Sequence, residues 1–182
     1  FSLDKVDDLR YGENPHQKAA FYLKSSNKNF WKQLNGKQLS YNNYSDMDSA
    51  YAIPKEFDEP ACAIIKHANP CGFGIGIDGL QAFKRAVSTD PVSYFGGIVG
   101  FNVEVNEKIA QELINPFLEC IIAPNYSLEA LEILKSKKNL RLVLVDSDYI
   151  SEQISIKSAA GGFICQQLDS QQGELEKLIT VT

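Results

Sequence analysis

The chain has 182 residues, 44% of them hydrophobic and 23% charged, which is the balance of an ordinary globular protein with material for one large domain or two small ones. Its net charge of −5 argues against non-specific nucleic-acid binding, which needs a basic face, but leaves room for a small anion held by local cations. No apolar run approaches the ~20 residues that cross a bilayer, and no signal-peptide pattern opens the chain, so no membrane partner is expected.

The four cysteines (Cys62, Cys71, Cys120 and Cys165) form no C-x-x-C pair, so structural zinc is not expected and a reduced, cytoplasmic setting is. Cys62 and Cys120 lie in apolar runs and read as small buried hydrophobes. A start at Phe1 without Met suggests processing or a fragment.

Leu9 to Gln17 is a polar loop rich in turn residues, followed by a strand over Ala19 to Leu23. The loop is either a solvated entry segment or an anion contact. Arg10 can pair with a phosphate, and Tyr11 can stack or hydrogen-bond. Asn35-Gly36 between apolar positions signals a two-residue hairpin. A helix is predicted over Asn42 to Phe57, capped by Asn43 or Ser45 and kinked or ended early by Pro54. Asp46 and Asp48 read chiefly as first-turn acids complementing the helix dipole, with a catalytic role as the alternative.

Ala61 to Gly76, ACAIIKHANPCGFGIG, is the centre of the chain. Ala61 to Ile65 reads as a buried strand ending abruptly in Lys66-His67. In a parallel sheet, ligands bind at the carboxyl ends of strands, and that geometry sets a cation and an imidazole at the rim of a cleft. The glycines that follow match neither a phosphate-binding Walker loop nor a complete G-x-G-x-x-G.

An amphipathic helix over Gly79 to Ser88 comes next, then Tyr94 to Phe101, a strand whose three glycines mark either a bulge or a close ligand approach. Asn106 caps a helix to about Ile114. Glu119 to Ala123 is a strand, Ser127 caps a helix with Leu128, Leu131 and Leu134 inward, and Leu140 to Val145 is a further strand. This alternation indicates an α/β fold with a largely parallel sheet. Ser158 to Cys165 reads as one more strand, and Asp169 to Thr182 as a polar tail or linker, so the chain looks like part of a larger protein.

Lys66-His67 is the sharpest chemical signal. Imidazole can act as a base near neutral pH, and the neighbouring ammonium can hold developing negative charge. The alternative is a solvated lysine and a histidine bonded to its own loop. A zinc deaminase needs H-x-E and P-C-x-x-C, but Asn69 and Gly74 occupy the required positions, so no metal is predicted. Cys71 as a nucleophile, with His16 or His67 as its base, lacks a third orienting residue.

LRYGENPHQ (9–17), IIKHANPCG (64–72), YFGGIVGFN (94–102) and ECIIAPNY (119–126), in this order, closely resemble the folate-dependent region of the AICAR transformylase/IMP cyclohydrolase family. The resemblance runs from about Leu9 to Asp146, and on to about Gln167. It implies a three-layer α/β sandwich of the cytidine deaminase-like type without zinc, with residues 1–168 as a first sub-domain and 169–182 leading toward a second.

The implied activity is transfer of a formyl group from 10-formyltetrahydrofolate to the amino group of AICAR, with His67 as base and Lys66 as its transition-state partner. Arg10, Tyr11, Gly96 and Glu119 would contact the nucleotide, while Asn14, His16 and Asn69 would support the site. The resemblance also implies a homodimer in the full-length enzyme. Because the family's transformylase region has two sub-domains, these residues alone are expected to form an incomplete site, and a nucleotide-binding or dimerisation module is the alternative.

Overall fold

A computed structural model describes residues 2–25, 28–146 and 154–168. They belong to two compact units, Phe1–Tyr149 and Ile150–Thr182. The first unit holds a six-stranded sheet with helices on both faces. Its elements are β1 (Leu3–Asp8), β2 (Ala20–Lys24), β3 (Trp31–Asn35), α1 (Tyr41–Lys55), β4 (Ala61–Lys66), β5 (Asn69–Ile75), α2 (Gly79–Thr89), β6 (Ile98–Phe101), α3 (Glu107–Leu113), β7 (Cys120–Ala123), α4 (Leu128–Lys135) and β8 (Arg141–Val145). No helix of the described residues is long and apolar enough to cross a membrane.

The sheet order is β3-β8-β7-β6-β4-β5, with β1 and β2 pairing separately as a hairpin. Only β6-β7 and β7-β8 are parallel pairs. β3-β8, β4-β5 and β4-β6 are antiparallel, so the expected largely parallel sheet is mixed. The reason is the two-residue turn after Lys66: it returns the chain at once as β5, where a crossover would have carried it to a parallel neighbour.

Side-chain alternation along the strands builds two cores. Cys62, Ile64, Ile121 and Leu142 pack with α2, α3 and α4, whereas Ala63, Ile65, Ile122 and Val143 pack with α1. Ile64, Ile65, Ile121, Ile122 and Leu142 are fully buried, each contributing roughly 1.5–3 kcal/mol by area.

Glycines in the central segment serve this packing. A Cβ on Gly72 would lie 2.3 Å from the Ala86 carbonyl oxygen, and one on Gly74 would lie 2.4 Å from that of Ala82. They let α2 settle directly on β5, so this glycine-spaced segment is a strand. Gly100 does the same for α1, since a Cβ there would stand 1.9 Å from the Ala50 oxygen.

Several local expectations are corrected. Ser40 caps α1, through a box in which its Oγ accepts from the Asn43 N–H and the Asn43 side chain accepts from the Ser40 N–H. The helix therefore starts before either expected cap, and Asp46 and Asp48 fall beyond its first turn. Pro54 sits inside the last turn, one residue from the end.

Asn35-Gly36 makes no hairpin, because β3 pairs with the distant β8; Gly36 instead takes φ 101° where the chain turns toward α1. Leu128 is 76% exposed, and α4 buries Ala130 and Leu134. In the second unit, the single strand expected over Ser158 to Cys165 is a hairpin of β9 (Ile154–Ala159) and β10 (Gly162–Gln167), turned by Ala160 and Gly161 at positive φ. Residues 169–182 lie outside the described residues.

Candidate functional site

The sheet register lines up Ile65, Ile98, Cys120 and Arg141 across four adjacent strands. Because β4 runs against β6, the carboxyl end of β4 meets the amino ends of β6, β7 and β8 at one edge. Lys66, Gly97, Glu119 and Leu140 lie one position beyond this row. At this edge β4 presents its carboxyl end, and the three parallel strands β6, β7 and β8 present their amino ends.

A cleft of about 640 Å³ opens there, lined among others by Arg10, Tyr11, Phe95, Glu119, Lys138 and Arg141. Lys37 and Lys137 also line it, so five cations face one carboxylate, Glu119. In a chain of net charge −5 this is a local reversal of sign, suited to an anionic ligand.

The loop carrying Arg10 and Tyr11 is pinned to the start of α1. Arg10 N–H donates to the Leu39 carbonyl at 3.0 Å, and Tyr41 N–H to that of Tyr11 at 3.1 Å. The Arg10 guanidinium lies 5.4 Å from the centre of the Tyr11 ring. Asn14 and His16 are exposed on this loop, whose turn is closed by the Asn14 and Gln17 side chains and by Gly12 N–H donating to the Gln17 carbonyl at 2.8 Å. The two residues thus stand on the entry loop, and they do not line the cleft.

Gly96 adopts φ 73° and its N–H donates to the Phe117 carbonyl at 2.8 Å, bringing Phe95 and Phe117 together as an exposed aromatic pair 5.2 Å apart. Glu119 accepts from Asn43 Nδ2 at 3.3 Å and pairs with Arg141 at 3.6 Å. Arg141 itself is 5% exposed and also donates to the Gln38 carbonyl. Sequence reasoning missed Arg141; the available signal was a cation at the head of an otherwise apolar strand.

Lys66 Nζ donates to the Phe95 carbonyl at 2.8 Å, tying the end of β4 to the rim of the cleft. His67 and Ala68 form the turn to β5 with φ 53° and 61°, the positive values that a type I′ hairpin requires. Neither is glycine, and the left-handed region costs such residues about 1–2 kcal/mol each. Two side chains brace the turn: Asp46 Oδ1 accepts from the Ala68 N–H at 2.6 Å, and Asn69 Nδ2 donates to the His67 carbonyl at 2.8 Å. The His67 side chain is left exposed.

Cys71, the extra residue in a bulge of β5, donates its thiol to the Ile64 carbonyl at 3.5 Å. Burial pushes this thiol up, which disfavours the thiolate a cysteine hydrolase would need.

Fold and cleft together define an α/β protein with a cation-lined site at one edge of a mixed sheet. The chain belongs to the AICARFT/IMPCHase bienzyme family, whose model matches residues 1–182. The bifunctional purine biosynthesis protein PurH of Bacillus cytotoxicus is 48% identical over 186 residues, covering 100% of this chain and 36% of that protein. The PurH of Bacillus cereus is 49% identical over 174 residues, covering 93% and 34% respectively.

The chain therefore spans about a third of the length of the curated relatives it matches. Among solved structures, Acinetobacter baumannii RibD in one form overlaps 56% of this chain and 34% of its own at 13% identity, with a TM-score of 0.39. At that level the likeness leaves the function unassigned.

Proposed function

We propose that these residues form part of the formyltransferase site of such a bienzyme, which moves the formyl group of 10-formyltetrahydrofolate to the 5-amino group of AICAR on the way to IMP. The observation that carries the reading is the meeting of four separate motifs at one sheet edge. Arg10, Tyr11 and Glu119 line one cleft with Phe95, the neighbour of Gly96, and Lys66 is bonded to the Phe95 carbonyl. The cationic lining suits a nucleotide phosphate.

In this reading Arg10, Tyr11, Gly96 and Glu119 hold the nucleotide. An amine conjugated to an imidazole ring is a poor nucleophile, so His67 removes its proton as the nitrogen attacks the formyl carbon. Lys66 stabilises the tetrahedral oxyanion. Collapse of that intermediate breaks the bond to the folate nitrogen, which leaves with a proton as tetrahydrofolate.

We read the sandwich as a zinc-free relative of the cytidine deaminase fold, residues 1–168 as its first sub-domain, and the whole protein as a cytoplasmic homodimer. A second reading, in which these 182 residues alone only bind nucleotide or dimerise, is favoured by the one-third share of the relatives' length.

The test is His67→Ala in the full-length protein, assayed for both reactions of the bienzyme. Formyl transfer should fall by about 10²–10⁴-fold while cyclisation of formyl-AICAR to IMP is unchanged. The opposite pattern would assign the chain to the cyclohydrolase half.

A further inference from the structure

Asp46 has no place in the chemistry above, yet it is the one acidic side chain among the buried polar residues of the first unit's described part, at 8% exposure. It sits on α1 three residues after Asn43, on the same side of the helix, so one helix face reaches both halves of the site. Asn43 touches Glu119 in the cleft, and Asp46 accepts from the Ala68 N–H at 2.6 Å.

In a hairpin turn this tight, backbone groups outside the ladder need other partners. Here the His67 carbonyl is bonded to Asn69 and the Ala68 N–H to Asp46. Both turn residues hold positive φ without being glycine, a conformation that persists only where the surroundings impose it. Asn69 acts from within the hairpin and moves with it. Asp46 acts from a separate helix, so it alone of the two fixes the turn relative to the cleft.

We propose that Asp46 is the positioning residue for the Lys66-His67 pair: by holding the Ala68 N–H it keeps the turn left-handed and the imidazole aimed at the amine that the cleft presents. This rests on the formyltransferase reading. Misplacing a base by about 1 Å can cost on the order of 10²-fold in rate, and the loss should appear in kcat because nucleotide contacts lie on other elements.

The experiment compares Asp46→Ala, Asp46→Asn and the double variant Asp46→Ala/Ala68→Gly in the full-length protein, with His67→Ala alongside. Asp46→Ala should lower kcat for formyl transfer by about 10–10²-fold with the KM for AICAR within about twofold. Asp46→Asn, which keeps an acceptor oxygen, should restore most of the rate. Ala68→Gly should recover about fivefold or more in the Asp46→Ala background, because glycine adopts positive φ freely.

A merely structural aspartate would not be rescued by a change at residue 68. Should Asp46→Ala not fold, Asp46→Leu fills the same volume without an acceptor and takes its place. An undiminished kcat, a loss confined to KM, or no rescue by Ala68→Gly overturns the inference. If His67→Ala also leaves formyl transfer intact, the underlying reading falls; if only His67→Ala is inactive, the role of Asp46 alone is refuted.

Discussion

The Arg141 guanidinium, almost fully buried at the head of β8, lies 3.6 Å from the Glu119 carboxylate at the head of β7. β7 and β8 are parallel and in register, so the two side chains leave the sheet at the same edge. Arg141 also donates to the Gln38 carbonyl, and it thereby links the cleft acid to the segment leading into α1.

Arg141→Leu should therefore loosen Glu119 and free the Gln38 carbonyl at once. Glu119 is half exposed, which screens the pair, so we expect a loss of about 1–3 kcal/mol rather than the larger figure for a fully buried ion pair. Under the formyltransferase reading, Glu119→Gln should raise the KM for AICAR about tenfold, and it should also lower the melting temperature because buried Arg141 loses its carboxylate partner. Thermal melts and steady-state kinetics check both, and an unaltered KM would remove Glu119 from the nucleotide site.

Gly74 lies under α2 with no room for a side chain. Gly74→Ala should push α2 off β5 and destabilise by about 1–3 kcal/mol, with about 2–4 °C of melting temperature lost per kcal/mol. A variant as stable as the parent would mean that α2 does not pack on β5 as described.

Asn102 ends the third resemblance motif but works for the fold. Its amide nitrogen lies 3.0, 2.9 and 2.8 Å from the Pro54, Phe57 and Glu59 carbonyls, and its oxygen accepts from the Ala61 N–H at 2.8 Å. Asn102→Ala should cost about 2–4 kcal/mol in chemical denaturation while, under the formyltransferase reading, the KM for AICAR stays within about twofold. A large change in KM with unaltered stability would instead make it a site residue.

Asp90 anchors the segment before Gly96: its carboxyl is held below the ordinary 3.8 by hydrogen bonds from Ser93 and Val92. A depressed folded pKa means that this contribution is present above the unfolded value and lost as pH falls through the folded one. Asp90→Ala should therefore lose melting temperature less steeply than the parent between about pH 5 and pH 2. Parallel curves would refute the assignment.

Cys71 should alkylate more slowly than an ordinary free thiol at neutral pH, since burial raises its pKa. Under the formyltransferase reading, Cys71→Ala should retain formyl transfer. Peptide mapping by mass spectrometry separates it from the exposed Cys165.

Much of the architecture was legible locally. Asn106 and Ser127 cap their helices through side chains bonded three residues on, and apolar runs such as Cys120–Ala123 became buried strands. The β5 hairpin escaped notice because His67-Ala68 lacks the asparagine and glycine that usually mark such turns. In the sequence Asp46 resembles a helix-dipole residue, because nothing within one turn of it reveals a partner 22 positions away.

The motifs themselves divided in two. Arg10 and Glu119 face the cleft, while Gly72, Gly100 and Tyr126 pack the fold, the last through a buried hydroxyl donating to the Ile121 and Val143 carbonyls. Spacing alone could not separate them, since both kinds occur within one motif, as Glu119 and Tyr126 do.

By itself the sequence determined the four helices, two of their caps, the central strands, the family, and the presence of an imidazole beside an ammonium. These depend on side-chain period and on hydrogen bonds between near neighbours, which the order of residues contains directly. Only the tertiary structure decided that β4 runs against β6, and with it that Lys66, Glu119 and Arg141 share an edge. Strand direction is set by how two buried faces find partners across the whole chain, so contacts such as Asn43 with Glu119, 76 positions apart, exist only once the sheet is assembled.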